Sequence, residues 1–336
     1  MKRAVATVTS AISIIMTAAA AASGQPVPNG AAAVSHEYAD VNGVRLHYAK
    51  AGKGPVVVFL HGFPEFWYEW KYQIAEFSKD HTVVAPDMRG YNLSAKPADL
   101  AAYQVPVLVE DIRALAARLL KDAGAAKFTL VAHDWGGAIA WVFAAMHPEM
   151  LERLVIVNAP HPTVFGRLLR EDAAQQRASQ YMLMFRGPEA EQTLAANNYQ
   201  LLTTMVLGAS LKDGTLTEDD RREYVSAWSQ PGALTGGLNY YRAAQIGPTA
   251  PADAKLVAPP SNEASLTSMP PLIIRVPTLV IWGEKDTALL TSNLDGLDQL
   301  VPTLTVKRVA DGTHWVVREN APEVNRLIRE FLTQPH

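Results

Sequence analysis

Cysteine is absent from all 336 residues, and that absence removes several classes of chemistry at once. There can be no disulfide, no cysteine nucleophile, no thiolate metal site and no lipid-modified cysteine. A chain without covalent staples must be held by its core, which this length and a hydrophobic content of 49% permit. A basic excess is missing too: 30 Lys and Arg stand against 33 Asp and Glu, so nucleic acid is not an expected partner. Beyond the first two dozen residues no stretch reads as a membrane span, and no internal repeat recurs at a fixed spacing. The histidines lack ligand-like spacing, so neither a metal nor a cofactor is expected.

The N-terminus is a separate object. Lys2 and Arg3 form a short positive region, followed by an apolar stretch through Ile12, Ile14, Ile15 and Met16 into a run of alanines. Ala22, Ser23 and Gly24 then offer small residues suited to a signal peptidase. Residues 1–24 are therefore expected to be a signal peptide, and the mature protein to be periplasmic or secreted with no membrane anchor. Its removal takes away two positive charges and leaves the mature chain more acidic.

From residue 25 a Pro-containing arm leads into two segments, His36–Asp40 and Val44–Tyr48, joined by Asn42-Gly43 and read as a β-hairpin. Short continuous apolar runs follow at Pro55–Leu60, Thr82–Ala85, Phe128–Ala132 and Leu154–Val157, as parallel strands covered on both faces require. Between them Leu108, Ile112, Leu115 and Leu119 recur at helical spacing, with Gly124 placed to stop the helix. Residues 161–245 are helical in character without strand runs, and 247–271 read as an irregular return linker. Strand-like runs resume at Thr278–Trp282 and Leu304–Val309, before a closing helix over about Pro322–Leu332. This pattern predicts one α/β core, residues 25–160 and 271–336, interrupted by a helical cap over 161–270.

Phe128-Thr-Leu-Val-Ala-His-Asp134-Trp-Gly-Gly-Ala is a strand, a tight turn with small residues, and an apolar helix from about Ala138. A nucleophile elbow has this form, with Asp134 in the nucleophile's place and Ala132, Gly136 and Gly137 at the small positions. A plain helix cap is the structural alternative for Asp134. No serine lies in a Gly-x-Ser-x-Gly setting, which disfavours a serine esterase. A carboxylate is already anionic near neutral pH and needs no base for its attack, but hydrolysing the resulting alkyl ester requires an activated water.

With its partners, this elbow resembles the epoxide hydrolase and haloalkane dehalogenase branch of the α/β-hydrolases, over essentially the whole mature chain. The resemblance implies a mostly parallel eight-stranded sheet with a helical cap inserted after strand 6. His61-Gly-Phe63-Pro64 resembles the oxyanion-hole turn, which implies that the backbone N–H groups of Phe63 and Trp135 face the ester oxygen. Asp311-Gly-Thr-His314-Trp315 follows the last strand, where the family places its base, and Ile281-Trp-Gly-Glu-Lys-Asp286 resembles its acid turn, with Glu284 a weaker candidate. An alternative acid position, after Leu154–Val157, holds Asn158, which carries no charge. Asp87-Met-Arg-Gly-Tyr-Asn92 resembles a family turn that usually has Gly at the sixth position; Asn tolerates the left-handed backbone. His61, Pro64, Trp67 and Trp315 are expected on the substrate pocket wall.

Epoxide and halide chemistry share Asp134, His314 and Asp286 and differ in the leaving group. An epoxide leaves as a basic alkoxide that needs a proton or a strong hydrogen bond, which phenols supply. Tyr181-Met-Leu-Met-Phe185-Arg-Gly-Pro188 and Leu238-Asn-Tyr-Tyr241-Arg242 resemble the two cap segments carrying the epoxide hydrolase tyrosine pair, so Tyr181 and Tyr241 are the implied donors and Tyr240 the neighbouring misassignment. Cif-type exported relatives pair His with Tyr there; this chain has Tyr at both. Trp135 keeps a halide site in view, although dehalogenases usually have Asn at the position of Phe63 or Arg beside the nucleophile. The expected function is conversion of a small-molecule epoxide and water to a vicinal diol through a covalent ester on Asp134. Haloalkane or haloacid dehalogenation is the alternative, and a non-catalytic exported binding protein the remote one.

Overall fold

A computed structural model describes residues 34–258 and 271–334. The signal-peptide reading of residues 1–24, the arm that follows and the middle of the return linker lie outside them. Eight strands form one sheet in the order β1-β2-β4-β3-β5-β6-β7-β8. They are β1 Ser35–Val41, β2 Val44–Ala51, β3 Val56–Leu60, β4 Thr82–Pro86, β5 Phe128–His133, β6 Leu151–Val157, β7 Thr278–Gly283 and β8 Leu304–Val309. The β1/β2 and β2/β4 pairs are antiparallel and the remaining pairs parallel. Asn42 and Gly43 both take positive φ at the β1–β2 turn, as a two-residue hairpin requires.

The parallel strands are buried on both faces, which is why they read as continuous apolar runs. Along β3, Val56, Val58 and Leu60 enter one core cluster, while Val57 and Phe59 enter the other. The first cluster is roofed by α2 (Val105–Ala123) and α3 (Asp134–Met146), the second by α1 (Lys71–Phe77) and α12 (Ala321–Thr333). Gly124 ends α2 at φ 62°, the left-handed cap expected of it. Among the described residues no helix is long and apolar enough to cross a membrane.

Between β6 and β7 the chain leaves the sheet and builds seven helices: α4 Pro162–Glu171, α5 Ala173–Ala178, α6 Tyr181–Arg186, α7 Ala190–Leu202, α8 Gly208–Asp213, α9 Glu218–Trp228 and α10 Ala233–Ala244. The α7 segment is kinked across Ala196–Tyr199, where Asn197, Asn198 and Tyr199 have positive φ, and a π-helical turn follows at Thr203–Leu207. A buried ion pair fastens this cap to the core. Arg318, on α11 (Val316–Glu319), meets Glu65 at 2.5 Å. Tyr224 of α9 donates to the other Glu65 oxygen at 2.6 Å, and Arg318 also donates to Ser210 Oγ at 3.2 Å and to the Val206 carbonyl. The Trp228 indole donates to the Pro64 carbonyl at 2.6 Å, so the Phe63–Pro64 turn is itself stitched to the cap.

Arg318→Ala would leave Glu65 as an unpaired buried charge, and should cost about 3–5 kcal/mol of stability. Urea denaturation of the variant against the parent checks this; a change below about 1 kcal/mol contradicts the tether.

Candidate active site

The carboxyl ends of the parallel strands carry the polar groups, as open α/β sheets place them. Asp134 stands at the β5–α3 junction with φ 49°, a left-handed conformation that is strained for a residue with a side chain. The helix begins at Asp134 itself, four residues before the sequence reading put it, because Gly136 and Gly137 form its first turn instead of an open loop. Small residues make the bend possible. A Cβ on Gly62 would strike the Asp134 side chain, one on Gly136 the carbonyls of Leu60 and His61, and one on Gly137 the Ala159 methyl.

Asp134 Oδ1 accepts a hydrogen bond from the Phe63 N–H at 2.8 Å. Trp135 is the next helical residue, and its N–H, in the first turn of α3, has no intrahelical acceptor. Oδ2 faces the other way, 3.6 Å from His314 Nε2, too long for a direct hydrogen bond. His314 Nδ1 donates to Asp286 Oδ2 at 2.8 Å. Asp286 is buried and fully engaged: the N–H groups of Ala288 and Leu289 donate to Oδ1, and Asn158 Nδ2 donates to Oδ2, all at 2.8 Å. Asn158, at φ 37° after β6, takes the Gly283 N–H on its own oxygen at 2.7 Å. The alternative acid position thus holds an amide that orients the acid at the neighbouring one. Glu284 instead pairs with Arg308 at 3.1 Å on the exposed side of the turn.

These charges fix the histidine. Burial opposes an imidazolium at His314, but the Asp286 carboxylate and its hydrogen bond outweigh it, with further help from Asp134 and Glu69, raising the pKa to about 9. Burial would also raise Asp286, yet His314 and the donated hydrogen bonds hold it below the usual carboxylate range.

The cap closes over this group. Tyr241, on α10, is 3% exposed and shares a cavity wall with Asp134, Trp135, Pro160, Phe165 and Leu289. Tyr181, the first residue of α6, is partly buried, and both phenols pack on Phe185, with ring centroids 5.2 and 5.0 Å away. Burial, and after it the Asp134 charge, pushes both phenols well above their ordinary value, so each keeps its proton. The Trp135 and Tyr241 rings meet edge-on, with centroids 5.1 Å apart. Tyr240 is fully buried and donates to the Arg89 carbonyl at 2.7 Å, which makes it a packing residue.

The four residues expected on the pocket wall, His61, Pro64, Trp67 and Trp315, have the following surroundings. His61 is fully buried: Nδ1 donates to the Gly62 carbonyl at 2.8 Å and Nε2 accepts the Met88 N–H at 3.0 Å, locking the turn to the loop after β4. Pro64 lies on a separate cavity with Tyr91 and Trp228. Trp67 donates its backbone N–H to Asp87 and packs on His36, Phe66 and Tyr68. Trp315 stacks edge-on against His314 and beneath Arg318. Asn92 has φ 39°, the left-handed conformation its place in the turn requires. Sequence reasoning missed Asn158 as an orienting donor, and it missed Glu69 and His133, which meet beneath the triad. An acidic residue inside the aromatic run Trp67-Tyr-Glu-Trp70 was the available signal for Glu69.

The family model described as alpha/beta hydrolase fold matches residues 55–321. AB hydrolase superfamily protein YfhM of Bacillus subtilis is 37% identical over 303 residues, covering 89% of this chain and 98% of that protein. Epoxide hydrolase 4 of Mus musculus is 34% identical over 303 residues, covering 87% of this chain and 77% of the relative. Among solved structures, an epoxide hydrolase of Bacillus megaterium in complex with an inhibitor is similar at 38% identity and a TM-score of 0.78, covering 89% of this chain and 100% of that one.

Asp286→Asn removes the carboxylate that outweighs burial at His314. The imidazole should then titrate well below about 9, as followed by NMR; an unchanged titration contradicts the assignment of cause.

Proposed function

The chain belongs to the α/β-hydrolase family, among its epoxide hydrolases, and on that premise we propose that Asp134 opens an epoxide by direct attack on carbon. The observation that carries this reading is the division of labour on one carboxylate. Oδ1 is held by the Phe63 N–H while Oδ2 faces His314, in a cavity walled by a protonated tyrosine.

In the resting site Asp134 is a carboxylate and His314 an imidazolium. Oδ2 attacks an epoxide carbon, the C–O bond breaks, and Tyr181 and Tyr241 hydrogen-bond the departing oxygen. The alkoxide takes a proton that is supplied in the end by the imidazolium, which leaves a hydroxyalkyl ester and a neutral His314. Esterification also removes the Asp134 charge, one of the causes raising His314, so the histidine becomes a base when a base is needed. It takes a proton from water as the oxygen adds to the ester carbon, and charge builds on Oδ1, where the Phe63 and Trp135 N–H groups can receive it. Collapse releases the vicinal diol, and its departing oxygen takes the remaining proton. Asp134 is again anionic and His314 again protonated. The net change is addition of one water.

The halide reading loses support because Phe63 stands where dehalogenases usually have Asn. The leader-like residues 1–24 support export, with Lys2 and Arg3 removed before the protein reaches its site of action.

Asp134→Ser should reduce diol formation by at least about a thousandfold. His314→Gln should trap the ester, visible in the intact protein as a mass increase equal to one substrate molecule; absence of that adduct with a verified substrate counts against the covalent route. Because the resting imidazolium supplies the alkoxide's proton, kcat/KM should be level around neutrality and fall about tenfold per pH unit above about 9. A profile that rises through that range contradicts it. Mass spectrometry of protein made in a secreting bacterial host should find a mature N-terminus close to Gln25, and an intact Met1 in the exported fraction would overturn the leader assignment.

A further inference from the structure

Glu69 has no part in the steps above, yet it sits beneath them. It lies in the short 3-10 turn Trp67–Trp70 and is 2% exposed, an expensive place for a carboxylate. Its Oε1 lies 2.5 Å from Nδ1 of His133, the last residue of β5 and the one before Asp134. The opposite ring nitrogen, His133 Nε2, is 2.9 Å from the backbone carbonyl of His314. A carbonyl only accepts, so Nε2 must carry the hydrogen, and in a neutral ring Nδ1 is then bare. A bare nitrogen and a bare carboxylate oxygen repel at 2.5 Å. Neither atom makes an aligned hydrogen bond to any group in the structure, and a proton shared between them would relieve this repulsion.

We propose that Glu69 is a positioning residue that shares one proton with His133, and that this proton keeps the His314 backbone in register with Asp134 for the hydrolysis of the ester. The inference rests on the two-step reading given above. The groups facing Glu69 come from every side: His133 on β5, Asp134 on α3, Glu65 on the preceding turn, His314 and Arg318 after β8, and Tyr224 from the cap. Burial raises Glu69 to about 8, with Arg318 opposing and Asp134 adding, while burial and His314 lower His133 to about 4. Below about pH 8 the proton rests on Glu69 and the pair is uncharged. Above it, the pair loses that proton in two damaging ways. Two bare acceptors push His133 away from the His314 carbonyl, and a new negative charge beside His314 favours the imidazolium, which cannot act as a base.

Glu69→Gln separates this role from simple packing, because the amide can donate to Nδ1 and cannot ionise. Stopped-flow tryptophan fluorescence in single turnovers of styrene oxide, from about pH 6 to about pH 10, would resolve ester formation from ester hydrolysis. Wild-type hydrolysis should fall about tenfold per pH unit above about 8. In Glu69→Gln that break should vanish, with the rate near pH 7 within about threefold of wild type. Superimposable pH profiles for the two proteins, or a folded Glu69→Gln protein inactive at every pH, would overturn the proposal. An infrared difference spectrum of wild type against Glu69→Gln provides a readout independent of turnover. It should contain a protonated-carboxyl band at pH 7 that disappears as pH rises through about 8, and its absence also overturns the proposal. Should His314→Gln form no ester while that band is present, the two-step reading fails and the shared proton stands.

Discussion

One anionic charge, on Asp134, organises the ground around it. It adds to Asp286 in raising His314, and it adds to burial in keeping the phenols of Tyr181 and Tyr241 protonated and a proton near Glu69. Its share of each effect ends when the carboxylate becomes an ester. In the proposed mechanism the first step thereby lowers the hold on the His314 proton before the second, without a change of fold. The same charge is held by a strained bend that only small neighbours at Gly62, Gly136 and Gly137 permit.

The sheet and the cap divide the labour. Parallel strands buried on both faces fix Asp134, Asn158, Asp286 and His314 at their carboxyl ends, where neither loop length nor solvent loosens them. The cap contributes phenols from two helices that are not neighbours in sequence, and so it must be anchored. Glu65 and Arg318 provide that anchor from inside the site itself, since Glu65 ends the Phe63 turn and Arg318 stacks on Trp315 beside His314. A buried ion pair is a poor source of stability against a well-packed apolar alternative, and its value here lies in fixing one arrangement of cap on core.

Much of this was legible in the residues. Hydrophobic period and continuity gave the strands and their parallel pairing, because burial on both faces leaves a run with no polar alternation. The elbow was legible because it needs glycines and a polar residue between a strand and a helix, and chain order placed Asp286 and His314 after β7 and β8. What stayed hidden depends on packing across long sequence separations. Residues expected on the pocket wall also carry contacts of this kind: His61 is held by the Gly62 carbonyl and the Met88 N–H, and Trp67 meets Asp87 and His36. Asn158 reads as a position without an acid, and only its 2.8 Å contact identifies it as a donor to Asp286. The choice between Tyr240 and Tyr241 rested on resemblance, and became physical once the Arg89 carbonyl claimed the first and the Asp134 cavity the second.

The central claim is that a side-chain oxygen, and not water, makes the first bond to carbon. A single turnover in ¹⁸O-water with enzyme in excess over epoxide tests it most directly. Attack by Asp134 yields a first-turnover diol free of ¹⁸O, with the label in the peptide that carries Asp134. A diol labelled in that first turnover, with the Asp134 peptide unlabelled, would contradict the account.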